Sequence, residues 1–142
     1  MQRKSGDAKI NYAYIIQYYM LNLSSYLIYS IINSYSACTK YIYITVNKRF
    51  DNSIRMSYSQ TEIVNHVDEL KHDIARECLR MVGITGGIEI TSIADIPSGT
   101  GLGSSSSFTV GLLNALYSYV GERLSSEELA KRACQIEIDV LG

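Results

Sequence analysis

The sequence lacks several features by which whole classes of protein are recognised. Its 142 residues include no tryptophan, one proline and three cysteines. The cysteines, Cys38, Cys78 and Cys134, lie far apart and form no CxxC pair, so the spacing of a zinc site is missing. Scattered thiols in odd number are typical of a reducing compartment, and we expect a cytoplasmic protein.

A surplus of charge of either sign is missing too. The chain has 13 Lys and Arg residues against 14 Asp and Glu, for a net charge of -1. This balance argues against a nucleic-acid-binding protein. The composition is 46% hydrophobic and 19% charged, which permits a packed core, and the length suits a single domain.

The first 39 residues differ from the rest. No charged residue occurs from Asn11 to Thr39, and seven of the twelve tyrosines lie between Tyr12 and Tyr35. Residues 12–32 are long enough to span a bilayer, but Gln, Asn and Ser side chains interrupt the run repeatedly, and no cleavage site marks a signal peptide. We therefore divide the chain into an atypical Tyr/Ile/Ser/Asn-rich segment, 1–39, which is β-prone or poorly ordered, and an organised domain, 40–142.

The organised domain contains three strand patterns. Residues 40–50 read KYIYITVNKRF, rich in β-branched and aromatic side chains, and predict a strand. Turn residues at 51–53 separate it from 54–64, which we expect to pair with it as an antiparallel partner. A further strand is predicted at 88–93, and its inward side chains are expected to be Ile88, Ile90 and Ile93.

Three helices are predicted, at 72–82, from a start within 103–106 to Val120, and from Ser125 onward. Gly83 and Gly121 end the first two. In the last, Ser125 and Glu128 have the spacing of a capping box. Its buried stripe is expected to comprise Leu129, Ala133, Ile136 and Val140.

The segment that carries chemistry is PSGTGLGSSSS, at 97–107, between a strand and a helix. Its alternate glycines permit backbone conformations that other residues resist and let an anion approach the main chain. The helix after them supplies unpaired N–H groups and the positive end of its dipole. We therefore predict a phosphate site here, at which Ser104 or Ser105 adds a hydroxyl to a phosphate-bound Mg²⁺.

Three other interpretations of this segment fail. A Walker A loop needs a Lys after its glycines, and none is present. A dinucleotide-binding fingerprint would be followed by a second strand that ends in an acidic residue, whereas a second helix pattern follows here. A Gly/Ser linker does not fit between a strand and an apolar helix.

These residues resemble the PxxxGLGSS phosphate-binding motif of the GHMP kinases, named for galacto-, homoserine, mevalonate and phosphomevalonate kinases. The resemblance runs from about Lys40 to Gly142 and implies an α/β (α+β) domain of the ribosomal protein S5 domain 2-like type. It also implies that ATP and Mg²⁺ bind here. The phosphate-binding residues would be Pro97, Gly99, Gly101, Leu102, Gly103, Ser104, Ser105 and Ser106.

The same resemblance assigns a role to Glu137. By spacing alone, this carboxylate lies beside the apolar stripe of the last helix, in a row with Ala130, Cys134 and Leu141. In GHMP kinases a Glu five residues before a Gly, as Glu137 precedes Gly142, holds Mg²⁺, so Ser104 and Glu137 are the expected metal ligands. Asp139 points to another helix face, and we expect it to face solvent.

Within the superfamily, the chain looks most similar to sugar kinases that act on D-glycero-D-manno-heptose 7-phosphate. The resemblance implies transfer of the ATP γ-phosphate to a sugar hydroxyl. It also places a catalytic Asp and a second domain beyond Gly142, and the first 39 residues show no equivalent of an early substrate-binding motif. We thus expect a truncated kinase that is inactive alone. The alternative is a non-catalytic, membrane-tethered or partner-binding protein that keeps the loop for structural reasons.

Overall fold

The computed structural model of this protein describes residues 5–11, 40–95 and 103–141. The elements follow in the order β1 (Ser5–Asn11), β2 (Tyr41–Lys48), β3 (Ile54–Ser57), β4 (Thr61–Val64), a 3₁₀ turn (Val67–Glu69), α1 (Asp73–Val82), β5 (Ile88–Ala94), α2 (Ser104–Val120), α3 (Ser126–Cys134) and a π-helical segment (Gln135–Val140). Sheet and helices mix along the chain, which confirms the α+β class.

The strands form one mixed sheet in the order β1-β2-β5-β3-β4. β1 and β5 both pair antiparallel with β2, and β5 pairs in parallel with β3. β1 therefore brings part of the first 39 residues into the sheet, at its edge. The division of the chain at residue 40 stays a prediction, because residues 12–39, including the candidate membrane stretch, lie outside the described residues.

The expected pairing of 54–64 with the strand before it was wrong. Residues 54–57 and 61–64 instead form a hairpin with each other, closed by a bond from the Tyr58 N–H to the Gln60 carbonyl (2.8 Å). β5 lies between β2 and the hairpin. The physical reason is burial: Ile88 and Ile90 are fully buried, and a strand this apolar is more stable with a neighbour on each side.

One face of the sheet forms the core and the other is exposed. Alternate residues of β2, β3 and β5 are buried, namely Ile42, Ile44, Val46, Ile54, Met56, Ile88 and Ile90. Ile93 was expected to face inward, but its side chain is 64% exposed. The two-residue period explains the error, because Ile93 is an odd number of positions from Ile90 and must lie on the opposite face, where it is paired with Tyr43.

Helix α2 lies at the centre of the packing. It packs against β1 and β2 of the sheet and against the helices α1 and α3. Its predicted start and end are confirmed, with Gly103 before its first turn and Gly121 at its C-cap, both with positive φ. Among the helices of the described ranges, none is long and apolar enough to cross a membrane.

Helix α3 begins as predicted, since the Ser125 hydroxyl accepts from the Glu128 N–H at 3.2 Å. Leu129, Ala133 and Ile136 of the expected stripe are buried, but Val140 is 53% exposed. The prediction that Val140 is buried was wrong because the α-helix gives way to a π-helical segment at Gln135. The wider π turn adds a residue to the repeat, so later residues leave the 3.6-residue phase.

His72 gives the fold a pH dependence. Its Nδ1 accepts from the Ala75 N–H (3.4 Å) at the start of α1, and its ring packs 4.8 Å from Tyr58 and 4.9 Å from Phe108. Burial lowers the pKa of His72, and the carboxylates of Glu62 and Asp73 oppose this shift without cancelling it. The neutral ring is therefore the form that the folded state prefers.

We predict that the free energy of unfolding falls as pH drops below about 6.5, the ordinary histidine value, and through the lower folded-state pKa. Because the folded-state pKa is lowered, the stability that neutral His72 contributes is fully present above the unfolded-state pKa. It is lost as the pH falls through the folded-state pKa. His72→Asn keeps a capping acceptor without a titrating ring, so it should lose less stability between pH 7 and pH 5. Urea unfolding across this range measures the effect. An unchanged profile in His72→Asn would refute the assignment.

Candidate phosphate and metal site

The first turn of α2 presents backbone donors. Gly103, with φ 75°, precedes the helix, and no side chain caps that end. The N–H of Ser107 already bonds to the Gly103 carbonyl (3.0 Å), so the amides of Ser104 to Ser106 are the ones that precede the helical ladder. Such amides, together with the helix dipole, attract an anion.

Only part of the predicted phosphate loop can be placed. Pro97, Gly99, Gly101 and Leu102 lie outside the described residues, while Gly103, Ser104, Ser105 and Ser106 lie within them. β5 ends at Ala94 and α2 begins at Ser104. The predicted strand before this segment and the predicted helix after it are therefore confirmed, and a second helix, not a strand, follows α2.

The π-helical segment brings Glu137 to this turn. The Ser106 hydroxyl donates to Glu137 Oε2 at 2.9 Å, a bond between residues 31 positions apart. The other oxygen, Oε1, is buried and has no hydrogen-bond partner in the part of the chain that the structure describes. A buried carboxylate oxygen without a donor is costly, and a water, an ion or a ligand group can serve as its partner.

Cys78 of α1 lies beside the same carboxylate. Burial raises the pKa of the Cys78 thiol, and the negative charges of Glu137 and Glu77 raise it further. Thiolates, not thiols, are the nucleophiles and metal ligands among cysteines. Cys78 therefore stays a protonated packing residue, and the chemistry of the site rests on oxygen atoms.

The predicted metal pair is only partly brought together by contacts. Glu137 faces the first turn of α2, but the hydroxyl that contacts it belongs to Ser106 and not to Ser104. Asp139 is exposed as expected. Sequence reasoning missed the Ser106 contact because four consecutive serines give no periodic signal, and because the phase of Glu137 depends on a π turn that the α-helical pattern does not reveal.

The donor set fits a hard cation that keeps part of its water shell. No group of three or more His, Cys, Asp or Glu side chains within residues 5–11, 40–95 and 103–141 could enclose a metal. Within the described residues, the site offers the Glu137 carboxylate, whose Oε1 has no hydrogen-bond partner, and nearby serine hydroxyls. Mg²⁺ is commonly bound in this way, by one or two protein oxygens together with waters and substrate phosphates.

A second concavity is a weaker candidate. A cleft of about 290 Å³ at the turn after β2 is lined by Asn47, Lys48, Arg49, Phe50, Asp51 and Glu89. The Arg49 guanidinium is held by Asp51 at 2.9 Å and lies 3.7 Å from Glu89. Because these two carboxylates neutralise the Arg49 guanidinium, Lys48 is the remaining cation of the lining, which includes no residue of a helix.

Known proteins with similar sequences are kinases. A mevalonate kinase from Methanothermobacter thermautotrophicus is 39% identical over 70 residues, which cover 49% of this chain and 23% of that protein. A D-glycero-alpha-D-manno-heptose 7-phosphate kinase from Campylobacter jejuni is 43% identical over 49 residues, which cover 34% of this chain and 14% of that protein. The chain thus spans less than a quarter of the length of either relative.

The fold is shared with a solved kinase. The crystal structure of a D-glycero-D-manno-heptose 1-phosphate kinase from Bacteriodes thetaiotaomicron is similar with a TM-score of 0.64 at 23% identity, over 73% of this chain and 38% of the other. At that identity the likeness supports the fold alone. Residues 65–142, more than half of the chain, match the family described as the GHMP kinases N terminal domain. The chain therefore belongs to the GHMP kinase family.

Proposed function

We propose that this chain is the nucleotide-binding part of a kinase that transfers the γ-phosphate of ATP to the hydroxyl of a small molecule. The observation that carries the proposal is the half-satisfied Glu137 carboxylate beside the uncapped first turn of α2. Donors for an anion and an acceptor for a cation lie side by side, and a metal–nucleotide complex has both charges. The phosphate residues are those of the glycine–serine segment, 97–106.

The described residues divide the work between backbone and side chain. The amides of Ser104 to Ser106 hold phosphate oxygens, whose charge the helix dipole also stabilises. Glu137, together with a serine hydroxyl of the first turn of α2, holds Mg²⁺. When bound, this ion would neutralise charge on the phosphates. Fixed donors of this kind serve phosphoryl transfer, in which catalysis depends mainly on positioning and charge stabilisation.

For the acceptor we propose a sugar hydroxyl, that of a heptose 7-phosphate. The resemblance of the 40–50 strand, the approach to the loop and helix α2 supports this class, as does the heptose kinase among the relatives. Mevalonate is the second candidate, because a mevalonate kinase matches over a longer part of the chain. Both acceptors are alcohols, so the phosphate and metal site would work in the same way. The free thiols of Cys78 and Cys134 favour the cytoplasm.

Gly103 tests the role of the loop. Alanine resists the positive φ of 75° found there, and we predict that Gly103→Ala costs about 1–2 kcal/mol of stability. Because the relaxed turn must be restored on binding, the affinity for Mg-ADP should fall by up to about tenfold. Gly121→Ala, at φ 90° on the other end of α2, is the matched control. It should lose similar stability and keep nucleotide affinity. Equal affinity in the two variants, measured by calorimetry, would remove Gly103 from the site.

Glu137 tests the role of the metal. We predict that Mg²⁺ strengthens ADP binding in the wild type and that Glu137→Gln reduces this gain by about tenfold or more, since a neutral amide is a poor ligand for a hard cation. Asp139→Asn removes the same charge from the same π-helical segment at an exposed position, and it should retain the gain. ADP titrations with Mg²⁺ and with EDTA give the comparison. A gain that survives in Glu137→Gln excludes this carboxylate as the ligand.

We further propose that the 142 residues bind nucleotide without completing phosphoryl transfer. The described residues bring one carboxylate to the phosphate site, whereas transfer also needs an acceptor hydroxyl held in line and a group to orient it. With Mg-ATP and either heptose 7-phosphate or mevalonate, ADP release should not exceed that of a Ser104→Ala/Glu137→Ala double variant. Faster release with one acceptor would overturn this proposal and would identify the substrate.

A further inference from the structure

The two oxygens of Glu137 have different surroundings. Oε2 accepts from the Ser106 hydroxyl at 2.9 Å, while Oε1 is buried without a partner among the described residues. A glutamate side chain has several rotatable bonds, and fixing it costs up to about 2 kcal/mol of conformational entropy. Because the hydrogen bond from Ser106 already restrains the Glu137 side chain, part of this entropy is lost before any ligand binds.

The other hydroxyls near this turn have different partners or positions. Thr109 Oγ1 donates to the Ser105 carbonyl at 3.0 Å, one helical turn back. The Ser105 residue is exposed, and the buried Ser107 Oγ has no partner in the described ranges. Among the described residues, Ser106 is the one whose hydroxyl is hydrogen-bonded to the π-helical segment.

We propose that Ser106 is a positioning residue that holds Glu137 so that Oε1 is free to bind the metal of a metal–nucleotide complex. The inference rests on the proposed function and adds a residue to it. Ser106 acts through Glu137: its hydroxyl donates to a carboxylate, a charge-assisted bond that is stronger than a neutral one. Because the hydroxyl and the phosphate-binding amides belong to the same turn of α2, this bond also links the place of the metal to the place of the phosphates.

The test measures metal affinity in Ser106→Ala, Ser106→Thr and the control Ser118→Ala, whose exposed side chain lies at the far end of α2. Mn²⁺ replaces Mg²⁺ as a spectroscopic probe, and electron paramagnetic resonance follows its binding to the full chain with ADP present. Ser106→Ala should weaken Mn²⁺ binding about 10–100-fold, the usual effect of removing a residue that orients a ligand. Ser106→Thr keeps the hydroxyl and should restore most of the affinity, while Ser118→Ala should match the wild type.

Two further measurements separate positioning from general damage. In Ser106→Ala the affinity for ADP in EDTA should fall far less than the affinity for Mn²⁺, because the variant keeps the backbone amides. In a Glu137→Gln background, Ser106→Ala should weaken Mn²⁺ binding no further, as expected when one residue acts through the other. Ser106→Cys, which replaces the hydroxyl by a weakly donating thiol of similar size, is the second variant if Ser106→Ala is poorly folded, and it should also weaken Mn²⁺ binding.

The outcomes distinguish this inference from the function on which it rests. Wild-type Mn²⁺ affinity in Ser106→Ala overturns the positioning role while Glu137 remains the ligand. Equal loss in the alanine and threonine variants overturns it as well, because the hydroxyl would then not be the cause. If Mn²⁺ binds the wild type and Glu137→Gln equally, the proposed metal site fails, and the role of Ser106 fails with it.

Discussion

The burial of α2 is the constraint on which the rest of the structure depends. Ten of its seventeen residues are buried, and Leu112, Leu113 and Leu116 are almost wholly removed from solvent. Burying each such leucine contributes about 1.5–3 kcal/mol, so the direction of the helix is fixed by apolar packing and not by anything at its ends. The same packing holds the first turn at the edge of the core, with the amides of Ser104 to Ser106 ahead of the helical ladder.

Glu62 and Glu137 show how differently this chain treats two half-buried carboxylates. Glu62 is satisfied at both oxygens, by the Tyr58 hydroxyl at 2.9 Å and the Lys71 N–H at 2.7 Å, and it secures the chain between β4 and α1. Glu137 is satisfied at one oxygen only. An unsatisfied buried acceptor costs about 1–3 kcal/mol. The contrast between Glu62 and Glu137 among the described residues supports the proposal that Glu137 gives up stability for a role in binding.

Local signals predicted most of the described fold. The positive φ of Gly83 and Gly121 and the Ser125 cap depend on near neighbours in sequence, and each was readable from residue type. The position of β5 between β2 and β3 could not be predicted from the sequence. Strand order depends on long-range pairing, and here that pairing gives the strand of Ile88 and Ile90 a neighbour at each edge. For the candidate site, the sequence indicated the turn and Glu137. It could not choose among four adjacent serines, whose contacts depend on the packing of a helix more than 30 residues away.

The contact between Ser106 and Glu137 is made through the π turn. Ile136 is fully buried and the next residue, Glu137, bonds to Ser106, so two consecutive side chains must both be held by the interior. Successive residues of an α-helix point about 100° apart, and both can be buried, as Leu129 and Ala130 are in α3. The wider turn, marked by the bond from the Leu141 N–H to the Ile136 carbonyl at 3.0 Å, reduces this separation. π turns are rare and occur often at functional sites. Here Ile136 completes the core and Glu137 contacts the first turn of α2, while Val140 is exposed.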